Sequence, residues 1–312
     1  MTGSAADLGA LRVYPTADGS FSLHSDHFGE AFHNSAGAFS EAKAKYALPS
    51  EPDRFAAKPV RLLDVCIGLG YNTGALLESL PKTTLSLQWW GLELDPRPLQ
   101  FALSQPDFRI LWSQPVLERL EAIQTHDGWE ESKSKGTMLW GDARQMLQRV
   151  DSGSVDLILH DAFSPRRCPQ LWSEEFLHGL ATCLAPGGRM LTYSRAAAIR
   201  SSLETAGLEL YSLLPVPGER PGWSSGTLAV KKGDTALASS GPGWRSLSPM
   251  EREHLRTRAA VPFRDPCGDF EATEILANRD LEQRCCGLEA TNAWQRRWMA
   301  KGGLASGKNN RS

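Results

Sequence analysis

The middle of the chain alternates between two hydrophobic patterns. Short apolar runs near 60–66, 87–94, 137–140, 155–160, 188–194, 208–214 and 226–231 read as strands. Between them, near 72–80, 96–104, 113–125, 142–150, 172–184 and 196–206, apolar residues recur at helical spacing. Strands alternating with helices predict a parallel sheet covered on both faces. Pro186, Gly187 and Gly188 mark a turn from helix to strand. The connection holding Pro215, Pro217, Gly218, Pro221 and Gly222 is too short for a crossover helix, so the last two strands should pair antiparallel.

The flanks read differently. Residues 1–20 carry few apolar positions, with a frayed start and a short strand at Leu11 to Pro15. The stretch from Ser25 to Asn34 interleaves aromatic residues with His, Asp and Glu. It can form a lid over a substrate site, but the simpler expectation is that Phe28, Phe32 and Phe39 anchor an extension to the core. Residues 233–244, rich in Gly, Ala and Ser, read as a linker. Beyond it, Ser248, Pro249 and Glu251 supply the N-cap, first-turn proline and early acid of a helix start. The expected division is an extension at 1–55, a main domain at 56–234 and a helical appendage at 245–312 ending in a disordered tail.

Candidate chemistry gathers at the strand ends, where ligands bind in such sheets. The first strand runs into Gly68-x-Gly70-x-x-x-Gly74, a strand, tight turn and helix start that suits a nucleotide-like cofactor of either the dinucleotide or the adenosylmethionine kind. Asp64, just before the turn, can hold a methionine ammonium or brace the loop. Glu93 is placed to accept ribose hydroxyls, with Asp95 as the rival read as a helix cap. Asp142 and Ala143 follow Gly141, where Asp142 can meet an adenine amine or cap the next helix. At the fourth strand end, Asp161 leads into Phe163 and Pro165, and then Trp172. An acid there can orient an amine and take its proton. His160 should face away and pack. A parallel sheet closed by an antiparallel hairpin favours a class I methyltransferase over a dehydrogenase.

Composition narrows the partners. The chain has 312 residues, 41% hydrophobic and 22% charged, with a formal net charge of -2. Any nucleic acid contact must therefore come from a local patch. Across 242–312, 12 Lys or Arg face 9 Asp or Glu, an excess of 3 that a solvated surface also explains. Six cysteines without a C-x-x-C pair fit reduced thiols in a cytoplasmic setting. No run is long enough to cross a membrane, there is no secretion signal, and no metal site is expected.

Asp64 to Asn72, Glu93, Gly141-Asp142 and above all Asp161-Ala162-Phe163-Ser164-Pro165 with Pro169 and Trp172 resemble the methyltransferase module of the MnmC family. The resemblance covers residues 20–232, with upstream support at Phe28 to Phe32. It implies a seven-stranded Rossmann-like methyltransferase fold. It also implies methyl transfer from S-adenosylmethionine to the exocyclic amine of 5-aminomethyl-2-thiouridine at the tRNA wobble position. By the same resemblance Asp64, Gly68, Gly70, Asn72, Glu93, Asp142 and Asp161 line the cofactor and amine sites, and Glu30, Phe163, Pro165 and Trp172 belong to the substrate side. The family usually has Glu-Thr-Gly where this chain has Asp64-Val65-Cys66, so the first turn is expected to hold the methionine end differently. The oxidase half of the bifunctional proteins is not expected in this chain. Competing readings are a small-molecule amine methyltransferase or aminopropyltransferase, and an inactive cofactor-binding protein.

Overall fold

The computed structural model describes residues 8–55, 59–80, 86–216, 224–233 and 237–300. The expected frayed start, the centre of the Pro/Gly connection and the terminal tail lie outside these residues.

A three-stranded antiparallel sheet opens the chain: β1 (Leu11–Pro15), β2 (Phe21–Ser25) and β3 (Glu30–Ala31). A continuous helical run follows through Ala38–Glu41, Ala42–Ala47 and Leu48–Ser50, its middle wound as a π-helix. The main sheet then forms from β4 (Val60–Val65), β5 (Leu87–Glu93), β6 (Gly128–Glu130), β7 (Lys135–Trp140), β8 (Val155–His160), β9 (Leu184–Thr192), β10 (Leu208–Leu213), β11 (Gly226–Lys231), β12 (Ser240–Gly241) and β13 (Trp244–Ser246). Their order is β12-β13-β10-β11-β9-β8-β4-β5-β7-β6.

The ladders β9-β8-β4-β5-β7 are parallel, and β11 lies antiparallel between β9 and β10. Every residue of β8 is buried, as expected of a parallel strand covered on both faces. The period of two sorts the core into two layers. Leu62, Leu157 and Leu159 face one, with Trp89 and the helices Tyr71–Ser79 and Gln114–His126. Leu63, Val65 and Ile158 face the other, with the helices Glu174–Cys183 and Ala197–Thr205.

The expected seven strands are the sheet's core, and three short strands extend its edges. Two of these begin within the end of the expected linker, at Ser240 and Trp244. Trp244 is the reason: its ring is 2% exposed, packs edge-on against Tyr211 at 5.0 Å, and donates from Nε1 to Glu51 at 3.0 Å. One buried indole offsets the flexibility of its small neighbours. The expected turn at 186–188 lies inside β9, where Gly187 takes a φ of 76° and the register against β8 shifts.

Ser248 and Glu251 form a full capping box at the helix Pro249–His254. Further helices follow at Ala272–Cys285 and Thr291–Ala300. The segment after β13 packs on the second layer through Leu255, Phe263 and Ile275, the last fully buried. Polar ties pin it as well. Glu251 meets the buried Arg200 at 3.3 Å, and Asp265 meets Arg144 at 2.8 Å.

Candidate active site

β4, β5, β7 and β8 all end at one edge of the sheet, and a pocket opens beyond their tips. Cys66, Gly68, Glu93, Asp142, Ala143, Asp161 and Phe163 are on its wall, joined by Phe28, Phe32 and Leu171. Asp64, Gly70, Asn72, Glu30, Pro165 and Trp172 are not on it.

Asp64 shares the face of Leu62 and therefore points beneath the helix Tyr71–Ser79. Its Oδ2 accepts from the Thr73 hydroxyl at 2.5 Å, and that hydroxyl accepts from the Trp89 indole at 3.0 Å. Asp64 Oδ1 has no hydrogen-bond partner. Gly70, at φ 90°, caps the same helix, and a Cβ there would stand 2.9 Å from Leu99. Gly74 lies inside the helix under Trp112, which a Cβ would meet at 2.8 Å. It serves packing, not the loop.

The turn itself is built from Cys66 and Gly68. Cys66 adopts φ 66°, a left-handed backbone that glycine takes freely and a side chain takes at a cost of about 1–3 kcal/mol. Its thiol narrows the pocket wall, and burial pushes its pKa well up. Gly68, at φ 54°, donates its N–H to Glu93 Oε2 at 2.9 Å. Glu93 Oε1 accepts from the N–H groups of Leu94 and Asp95, at 2.7 and 3.0 Å. Asp95 accepts from the Arg97 N–H at 3.0 Å, a capping contact at the start of the helix Arg97–Ser104. Asp142 caps the helix Ala143–Met146 through the Arg144 N–H at 2.9 Å, pairs with the Arg144 guanidinium, and still lines the pocket.

Asp161 emerges from β8 with both oxygens held. Oδ1 accepts from the Tyr46 hydroxyl and Oδ2 from the Asn72 amide, each at 2.7 Å. Burial pushes its pKa up to about 6, and the charge of Glu41 adds to the rise. Tyr46 comes from the π-helical turn and was absent from the expected site, since nothing in its neighbourhood marks it. Asn72 positions Asp161 from the start of its helix.

The loop after Asp161 is fixed at several points. Tyr193 donates to the Ala162 carbonyl at 3.0 Å, the Trp172 indole to the Phe163 carbonyl at 2.7 Å, and the Ser164 N–H to Glu30 at 2.9 Å. Trp172 is fully buried and supports the wall from below. Phe28 stacks on Phe163 at 4.3 Å and Phe32 meets it edge-on at 4.8 Å, so these rings both anchor the N-terminal segment and form a wall. His160 is buried as expected, edge-on to Trp172 at 4.3 Å, and burial lowers its pKa to about 3.

Asp64 is likewise pushed up to about 7 by burial, and Glu93 is raised for the same reason. Folded Asp64 keeps a proton that the unfolded carboxylate releases near pH 4, so its contribution to stability is lost as pH rises from about 4 through about 7. His33 and His160, lowered to about 4 and about 3 by burial, act oppositely below pH 6.5. Between pH 6.5 and 8 the ligand-free protein is therefore expected to weaken in urea denaturation. Asp64→Asn should flatten that slope, and an identical slope in the variant would refute the assignment.

A family model described as S-adenosyl-L-methionine-dependent methyltransferase matches residues 109–227. An uncharacterised protein of Methanocaldococcus jannaschii is 28% identical over 268 residues, covering 85% of this chain and 70% of the relative. The tRNA 5-methylaminomethyl-2-thiouridine biosynthesis bifunctional protein MnmC of Pseudomonas fluorescens is 32% identical over 156 residues, 45% of this chain and 23% of that protein. The chain thus aligns with under a quarter of that bifunctional relative. The crystal structure of MnmC2 from Aquifex aeolicus superposes with a TM-score of 0.72 at 28% identity, covering 90% of this chain and 87% of the other.

Glycine turn, strand-tip carboxylates and family match together define a class I S-adenosylmethionine-dependent methyltransferase. The residues present fit that cofactor: the Gly68 turn brings backbone close, and a sulfonium cation suits a pocket edged by Glu93, Asp142 and Asp161. More narrowly, the chain is similar to MnmC proteins in sequence and to MnmC2 in fold. Among the described residues no helix is long and apolar enough to cross a membrane.

Proposed function

We propose that this protein methylates the exocyclic amine of 5-aminomethyl-(2-thio)uridine at the wobble position of tRNA. The observation that carries the reading is Asp161, held at the pocket wall by Tyr46 and Asn72 with a pKa near 6. Bound S-adenosylmethionine supplies an electrophilic methyl group on a positively charged sulfur. A protonated amine has no lone pair to attack it. Asp161 takes the proton from the amine nitrogen, which frees that lone pair. Tyr46 and Asn72 fix the direction from which the carboxylate does so. With Asp161 holding the proton, the amine nitrogen would be free to take the methyl group, and the donor would leave as a neutral thioether.

In the same reading Gly68 and Cys66 border the methionine end, Glu93 the ribose, and Asp142 with Ala143 the adenine. Asp64 acts from behind by fixing Thr73 and the helix start. The location implied is the cytoplasm, where tRNA is matured.

Purified protein should be stabilised by S-adenosylhomocysteine and not by NAD, by about 2.7 kcal/mol at a hundredfold excess over the dissociation constant. It should also add one methyl group to tRNA bearing the aminomethyl nucleoside, read by mass spectrometry of the digested wobble nucleoside. Cofactor binding without transfer to that tRNA would sink the substrate assignment.

A further inference from the structure

With a net charge of -2, the chain can grip a polyanion only through a local cationic feature. One stands beside the pocket. Arg166 and Arg167 are both exposed and follow Asp161 by five and six residues. Among the described residues neither pairs with a carboxylate, although the neighbouring arginines do. Arg144 is taken up by Asp142 and Asp265, and Arg264 by Glu174 and Glu282. Those pairs commit Arg144 and Arg264 to carboxylates, whereas the charges of Arg166 and Arg167 are taken up by no ion pair among the described residues.

Their backbone is rigid. The N–H groups of Arg167 and Cys168 both donate to the Ser164 carbonyl, at 2.7 and 2.9 Å, and Ser164 is itself held by Glu30. Arg167 lies over the turn between β2 and β3, where a Cβ on Gly29 would stand 3.5 Å from its guanidinium. Phe28, next in that turn, stacks on Phe163 in the pocket wall. Burial lowers the pKa of Arg279, and the charge of Arg166 adds to that lowering. Arg279 donates to the carbonyls of Val261 and Ala259 and lies over the Phe263 ring at 4.4 Å. Two exposed guanidinium groups on adjacent residues of a fixed turn, flanked in sequence by the pocket-lining Phe163 and Cys168, offer positive charge to phosphates.

We propose that Arg166 and Arg167 hold the RNA phosphates flanking the nucleoside whose base enters the pocket. This rests on the tRNA reading above and adds the surface that grips the strand. The arginines position the substrate and do not touch the transferred methyl group. A planar donor fork suits phosphate oxygens, and a preordered loop loses little freedom on binding.

The test uses the full chain carrying Arg166→Gln and Arg167→Gln together, with the doubly lysine-substituted chain as the charge-conserving control. Binding of an anticodon stem-loop RNA is measured without cofactor across a salt series. The glutamine variant should bind at least about tenfold more weakly at low salt. Its log–log salt slope should be shallower by about 1.4, at about 0.7 for each lost phosphate contact to a single strand. The lysine variant should recover the slope, S-adenosylhomocysteine affinity should be unchanged, and with methylatable tRNA the loss should fall on KM while kcat stays. An unchanged salt slope in the glutamine variant, or no RNA binding by the unmodified protein, overturns the proposal. RNA binding that depends on the arginines without methyl transfer would uphold this surface and reject the wobble-uridine reading.

Discussion

Asp161→Asn is expected to slow methyl transfer by about 10²–10⁴-fold while leaving cofactor affinity within a few-fold. Asparagine keeps the size and its oxygen still accepts from Tyr46, and a flip of the Asn72 amide would let Asn72 Oδ1 accept from the new NH2 group, so the side chain at the tip of β8 stays held while the base is lost. The unmodified enzyme should also show a rate that rises with pH through about 6, because only ionised Asp161 can take the amine's proton and burial has raised its pKa to that value. Single-turnover rates measured from pH 5 to 8 check both points. An equal loss of transfer and of cofactor binding would make Asp161 a cofactor ligand and not a base.

Trp172→Ala is expected to destabilise the fold by about 3–5 kcal/mol, the usual range for emptying a buried aromatic site. The ring is fully buried between His160 and Tyr193, at 4.3 and 5.7 Å. Its indole also satisfies the Phe163 carbonyl, so removing it releases the loop that carries the pocket wall. Trp172→Phe keeps most of the packing and loses the hydrogen bond, so a smaller cost of about 1–3 kcal/mol should follow. Urea unfolding of both variants separates the two contributions. A loss below about 1 kcal/mol in the alanine variant would show that the loop stands without its support.

Most of the central sheet was legible because its strands are buried on both faces and read as apolar runs bounded by glycine and proline. The acids at strand ends were legible for a related reason: a charged residue closing an apolar run has to be at a tip or paired. What the acids do was harder to read. Asp64 alternates with Val65 and shares the face of Leu62, so the period of two already aimed it beneath the following helix, where Thr73 waits. The same period was not enough for Trp172, whose place below Phe163 depends on how a loop folds back. Tyr46 was invisible because its π-turn carries no turn residues and its partner is supplied by a distant strand. β12 and β13 were hidden by a composition typical of linkers, which one buried tryptophan overrides.

The N-terminal segment that supplies Tyr46, Phe28 and Glu30 leaves the ribosome long before the strand it serves. Tyr46 and Asp161 are 115 residues apart, and Glu30 and Ser164 are 134 apart. Contacts across such separations close late in folding, since the loop entropy must be met before they repay it. The parallel ladder between β4 and β8 must be in place before Asp161 has a position to be held in. The newborn chain therefore carries Tyr46, Phe28 and Glu30 as an unattached arm until β8 and the loop after it have been made.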